Sequence, residues 1–170
     1  MVDAITMRLR VKTKGQDQTL LSPQNVVSCS DYNQGCEGGY PYLVAKFAQD
    51  IGLVPDYCEV YTAEDSACRI SCPTDKPLKV YHVKDYKYIG GFYGACNEAS
   101  MMYDLYHNGP IVIALNAPSD LFYYNKGIYD SKDTDADDWD ITKTSRWEKT
   151  NHAVTCVGYG EEGKIYNINK

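Results

Sequence analysis

Thr150-Asn151-His152-Ala153-Val154, running on to Val157-Gly158-Tyr159-Gly160, is the stretch on which the reading of this chain turns. Ala153 to Tyr159 predicts a β-strand, apolar at its start and ended by Gly158-Tyr159-Gly160. His152 follows polar Asn151 and opens that strand, where a side chain is held rigidly at the edge of a cleft. Alone, a histidine at a strand start is ordinary. The other two, His82 in a charged strand region and His107 at a polar helix end, read as surface residues. What surrounds His152 along the chain decides whether it does chemistry.

Upstream, helices come first and strands later. Met1 to Lys12 reads as the end of a helix, and Lys12 to Thr19 as a loop. Ser22 can cap a helix whose first turn accepts Pro23. Cys36-Glu37-Gly38-Gly39 is a break, since two adjacent glycines let the backbone take positive φ or lie against a ligand. Tyr42 to Ile51 has helical apolar spacing and Gly52 as its stop. Asp56 to Pro77 is a cysteine-rich loop. From Leu78 the pattern changes: Val80, Tyr81, Val83, Tyr86, Tyr88 and Ile89 predict a strand. Asn97 to Asn108 predicts a helix closed by Asn108-Gly109-Pro110, and Ile111 to Leu115 a strand. Gly127-Ile128-Tyr129 starts a further short strand, and Asp130 to Asp140 is an acidic loop. The order is α+β, with residues 1–77 as a helical, disulfide-rich part and 78–170 as a β-rich part.

Composition bounds the function. The 170 residues carry a net charge of -6, which argues against nucleic acid as the main partner. Hydrophobic residues make up 44%, enough for a core rather than a disordered chain. Tyrosine is frequent, 16 against 3 Phe, so many half-buried rings with wetted hydroxyls are expected. No apolar run is long enough for a membrane span. Met1-Val2-Asp3-Ala4 has no leader character, so a secretory protein of this sequence would start upstream. Of the seven cysteines, five fall between positions 29 and 72, dense for a reduced cytosolic protein. Cys68 and Cys72 form a CxxxC with no second pair and no nearby histidine, so disulfides are expected and a metal site is not. With an odd number, at least one cysteine is free or has its partner elsewhere.

The motifs together resemble one family. Ser22-Pro23-Gln24 with Val26-Val27-Ser28-Cys29, then Gly35-Cys36-Glu37-Gly38-Gly39, Asn108-Gly109-Pro110, Asn151-His152-Ala153-Val154 and Val157-Gly158-Tyr159-Gly160 follow the order and rough spacing of papain-like cysteine peptidases. Gly38-Gly39-Tyr40-Pro41-Tyr42, Tyr86-Lys87-Tyr88-Ile89-Gly90-Gly91-Phe92-Tyr93-Gly94 and Cys96-Asn97-Glu98-Ala99 are similar to the dipeptide-removing branch of that family, the cathepsin C type. Two departures stand out. The family usually has Phe at Tyr40, and many relatives have Cys-Phe-Pro-Tyr where this chain has Cys58-Glu59-Val60-Tyr61.

The resemblance implies a papain-like two-lobe α+β fold, incomplete at both ends, and thiolate–imidazole acyl transfer with His152 as the imidazole. It implies that the nucleophile lies about five residues before Met1, near the family's separation of about 130–150 residues. The asparagine that orients the imidazole belongs to an Asn-Ser-Trp-Gly motif that would begin about where Ile165-Tyr166-Asn167-Ile168-Asn169-Lys170 stops. As it stands the chain is then expected to be inactive. Gly38, Gly39, Tyr40 and Asn151 would bind substrate, and Tyr42 with Tyr88 would hold a chloride ion. The implied disulfides are Cys29 with Cys68 and Cys58 with Cys72, leaving Cys36 to a partner outside the chain. Cys96 and Cys156 would be free. Implied partners are peptides and proteins with free amino termini, an exclusion domain, the remaining catalytic-domain segments and three further copies in a tetramer. The implied compartment is the lysosome or another acidic endomembrane or secretory space. Ser131 to Asp138 is either a processing site or a solvated turn. The competing readings are an inactive papain-fold homologue that binds rather than cleaves, and an endopeptidase of the cathepsin L or B kind.

Overall fold

In the computed structural model, residues 1–130, 150–162 and 165–167 are described; the acidic segment 131–138 lies outside them. Four helices come first: α1 (Val2–Lys12), α2 (Pro23–Cys29), α3 (Pro41–Asp50) and α4 (Glu98–Asn108). Four strands follow: β1 (Ile111–Leu115), β2 (His152–Cys156), β3 (Gly160–Glu162) and β4 (Ile165–Asn167). The helix-then-strand order is the one read from the sequence.

The helix ends sit where local chemistry puts them. Ser22 Oγ accepts the Asn25 N–H at 3.0 Å, and Pro23 fills the first helical position of α2, where its missing N–H costs nothing. Asn97 Oδ1 accepts the Ser100 N–H at 2.9 Å and starts α4. Gly109, at φ +89°, ends it. The start of α2 is pinned a second time. Ser22 Oγ donates to the Glu59 carbonyl at 2.5 Å, and Asn25 Nδ2 donates to the buried Glu59 carboxylate at 3.0 Å. A buried carboxylate is tolerated only when hydrogen-bonded, and Asn25 supplies that.

Two apolar clusters form. One gathers Val2, Leu21, Val26, Phe47, Ala48 and Leu53, with Tyr81 and Val83 packed against it. The other is Leu105, Ile111 and Cys156, with Ile89, Met101 and Ile113 against it. Arg8 joins α1 to the end of α4: its Nε donates to the Pro110 carbonyl at 2.6 Å and its guanidinium pairs with Asp104 at 2.5 Å.

Two strand expectations fail. Residues 78–89 form no strand; Tyr81 makes a single antiparallel bridge with Leu53, and Val83 N–H reaches the Ala48 carbonyl. Tyr81 and Val83 pack against the cluster that includes Phe47 and Ala48 of α3 instead of joining a ladder, while Val80 and Tyr88 stay exposed, which is tertiary context overriding propensity. Gly127-Ile128-Tyr129 likewise takes no strand structure.

The antiparallel pair β1–β2 runs in the register Ile111↔Cys156 to Leu115↔His152. Side chains alternate along a strand, so His152, Val154 and Cys156 share a face with Ile111, Ile113 and Leu115. That face is buried at the Cys156 end and open at the His152 end. The core therefore grips one end of β2 and presents His152 at the other, roughly 13 Å away at strand rise.

Candidate active site

His152 is exposed and lies across from Leu115. The residue before it is fixed twice. Asn151 N–H donates to the Leu115 carbonyl at 3.1 Å, and Asn151 Oδ1 accepts the Ala117 N–H at 2.8 Å. The start of β2 is thus clamped to the end of β1 and the turn beyond it, and the imidazole is carried on a braced backbone.

The Gly38-Gly39 break is built differently at its two residues. Gly38 has φ +116° and ψ -155°, and an added Cβ there would meet nothing within 4 Å. Conformation, not space, demands glycine at that position. Gly39 is the reverse: a Cβ would lie 2.3 Å from Asn33 Oδ1. Asn33 Oδ1 also accepts the Tyr40 N–H at 3.0 Å. Among the described residues, neither the N–H nor the C=O of Gly39 has a hydrogen-bond partner. An exposed residue outside helix and strand that offers both groups is a ready edge for one more strand. Tyr40 is exposed beside it and precedes α3, whose first helical residue is Pro41.

Tyr42, in the first turn of α3, stacks on Tyr88 with ring centroids 4.6 Å apart and planes 11° from parallel. Tyr86 meets the Tyr42 ring edge-on at 4.7 Å, and Tyr93 meets Tyr88 edge-on at 5.6 Å. Desolvation first, then the neighbouring Tyr42 and Tyr93, push the Tyr88 hydroxyl above the usual phenol range. It stays protonated and able to donate at any physiological pH.

The cysteines separate into two kinds. Cys29–Cys68 and Cys58–Cys72 are disulfides, the pairs that the resemblance implies. Cys36, Cys96 and Cys156 form no disulfide among the described residues. All three are pushed above the ordinary thiol range: Cys36 by desolvation and then by Asp65, Glu37 and Glu64, Cys96 by desolvation, Cys156 by desolvation against a bond to Gly158. A catalytic thiol needs the opposite environment, one that favours thiolate. None of the seven cysteines is therefore built as a nucleophile. The remaining histidines sit apart from this chemistry: His82 Nδ1 lies 3.1 Å from the Gln49 carbonyl, and His107 meets the Tyr103 ring at a tilt and the Tyr106 ring edge-on.

Sequence reasoning missed Asn33 and Glu59. Glu59 appeared only as a departure from a common motif, yet its carboxylate is what holds α2. Asn33 carried a turn signal, Asn-x-Gly, that could have been read. Its contact with Gly39 and Tyr40 depends on the chain folding back.

Residues 1–170 match the family described as papain family cysteine protease. The chain belongs to that family. It is 40% identical over 158 residues to cathepsin C of Schistosoma mansoni, covering 92% of this chain and 34% of that protein. It is 29% identical over 228 residues to dipeptidyl aminopeptidase 1 of Plasmodium falciparum (isolate 3D7), covering 96% of this chain and 33% of the relative. The chain therefore spans about a third of the length of these curated relatives. Among solved structures, the proform of the ragweed pollen allergen Amb a 11 superposes with a TM-score of 0.72 at 21% identity, over 97% of this chain and 44% of that one. That likeness establishes a papain-like fold for the α+β chain. Among the described residues no helix is long and apolar enough to cross a membrane.

Proposed function

We propose that this papain-family chain is part of a peptidase that removes dipeptides from the amino termini of peptides and proteins. The observation that carries the reading is the 40% identity with a cathepsin C across 92% of the chain, spanning both the Gly39 edge and the Tyr42–Tyr88 stack. Gly39 N–H and C=O would pair with an extended substrate, with Gly38, Tyr40 and Asn151 around it. A thiolate supplied from outside residues 1–170 attacks the scissile carbonyl. His152, charged by the thiol proton, protonates the leaving amine and then takes a proton from the water that hydrolyses the acyl-enzyme. The orienting asparagine also comes from outside these residues.

Tyr42 and Tyr88 suit a chloride ion, because two neighbouring phenols, one of them held protonated by its surroundings, supply hydrogen-bond donors to an anion. Bound chloride would fix the floor of the pocket for the second substrate residue. The two disulfides suit an oxidising compartment, and we place the protein in the lysosome or another acidic endomembrane or secretory space. The intact protein would carry an exclusion domain that grips the substrate's amino terminus and would assemble as a tetramer.

The test uses protein expressed from the full open reading frame. A dipeptide reporter with a free amino end should be cleaved and longer amino-blocked reporters should not. Preferential cleavage of the blocked reporters would make it an endopeptidase instead, and no cleavage of either would support an inactive homologue. His152→Ala should lower kcat about 10²–10⁴-fold, the range for losing a general acid–base. Removing chloride should slow the wild type and leave Tyr42→Phe/Tyr88→Phe unchanged; a wild type indifferent to chloride would remove the anion site.

A further inference from the structure

We propose that Asn33 is the positioning residue for the substrate-binding edge, a reading that rests on Gly39 being the residue that pairs with substrate. Asn33 lies six residues before Gly39, at the start of the loop, and its carboxamide reaches back across it. Each neighbour of Gly39 is spoken for. Gly38 N–H donates to the Gly35 carbonyl at 3.3 Å, and its carbonyl accepts the Gln34 N–H at 3.0 Å. Tyr40 N–H goes to Asn33 Oδ1 at 3.0 Å, and its carbonyl accepts from Leu43 at 2.9 Å and Val44 at 3.0 Å. Among the described residues, Gly39 is left between two anchored residues with no partner for either backbone group, and Asn33 lies where its Cβ would be.

The carboxamide itself is fixed. Its nitrogen donates to Ser30 Oγ at 3.0 Å, and the Asn33 backbone N–H donates to the Ser30 carbonyl at 3.2 Å. The oxygen must face Tyr40, because the Tyr40 N–H is a donor and the other end of the amide is one too. Asn33 therefore does two things at once. It locks the peptide on the helix side of Gly39, and it fills the space where a side chain at that position would lie. A glycine edge without such a clamp would have to be ordered by the substrate at the moment of binding, which weakens binding.

Asn33 touches neither the substrate nor the reacting atoms, so its removal should appear in KM and not in kcat. With full-length protein and the free-amino dipeptide reporter, Asn33→Ala should raise KM about five- to tenfold, the scale of one lost hydrogen bond, with kcat within about twofold. Asn33→Asp keeps an acceptor for the Tyr40 N–H and should restore KM to within about twofold of wild type. A merely structural asparagine would lower Tm in Asn33→Ala and leave KM where it was, and that result would overturn the proposal. So would an unrescued KM in Asn33→Asp with unchanged Tm. Should Asn33→Ala fail to fold, Ser30→Ala withdraws only the bond that steadies the carboxamide; a raised KM supports the role and an unchanged KM ends it. If the wild type cleaves only blocked reporters, the dipeptidyl reading fails and the same KM comparison is made on those. If it cleaves neither, the affinity of a peptide for wild type and Asn33→Ala, by titration calorimetry, replaces KM and decides in the same way.

Discussion

At the scale of single residues, Asp17 shows how much of this surface is organised by charge. Its carboxylate is held well below the usual carboxylate range by hydrogen bonds from Thr19, side chain and backbone, and then by the Lys79 ammonium and the Tyr81 hydroxyl. Lys79 also lies over the Tyr81 ring, 4.5 Å from its centroid. The group ties the loop after α1 to the segment around Tyr81. A carboxylate with a depressed folded pKa stabilises the fold fully above its unfolded pKa of about 4 and loses that contribution as pH falls toward the folded value. Asp17→Asn should therefore lower Tm at pH 7 and at pH 5 alike. Below about pH 4 the wild-type Tm should drop toward that of the variant. Thermal unfolding of both proteins from pH 7 to pH 3 checks this, and parallel curves throughout would remove Asp17 from the account. The contribution thus survives in the mildly acidic range around pH 5.

At the scale of elements, the two capped helices make a controlled comparison. Asn97 Oδ1 accepts one N–H at an exposed helix start. Ser22 Oγ accepts one N–H, donates to the Glu59 carbonyl, and is wholly buried. Asn97→Ala should cost about 1 kcal/mol, the ordinary worth of a cap. Ser22→Ala should cost about 2–3 kcal/mol, because it also leaves the buried Glu59 carbonyl without its partner. Urea unfolding of the two variants measures the difference, and equal costs would mean that the Glu59 bond contributes nothing. The strand pair shows the same logic for function. β2 is braced at Asn151 and buried at Cys156, so the element that carries the imidazole is held at both ends.

For the whole molecule, the disulfides and the α1–α4 link hold together regions that lie far apart in sequence. Cys29–Cys68 spans 39 residues and Cys58–Cys72 spans 14. Loop-closure entropy assigns them roughly 4 and 3 kcal/mol. Cys29→Ala/Cys68→Ala should therefore lower the urea midpoint more than Cys58→Ala/Cys72→Ala, and the reverse order would show native packing outweighing chain entropy. Arg8 joins helix α1 to Asp104 and Pro110 across about a hundred positions. Much of the molecule was legible from the residues. Ser22-Pro23, Asn97 and Asn108-Gly109-Pro110 announce helix ends because capping is local chemistry between residues two to four apart. His152 stands out in the sequence only through its company of motifs, since a single histidine carries no local signal of a role. The segment from Val80 to Ile89 was misread as a strand because the packing of Tyr81 and Val83 on the cluster that holds Phe47 and Ala48 of α3 looks the same in sequence as burial in a sheet. Asn33 against Gly39, Tyr42 on Tyr88 and Glu59 under Ser22 were decided only when the chain folded back on itself. The residue types and their order determined family and helix caps, because these depend on what each side chain is. Tertiary structure alone decided which backbone groups of Gly39 stay unpaired and which end of β2 meets solvent, because both depend on contacts between residues that sequence spacing does not bring together.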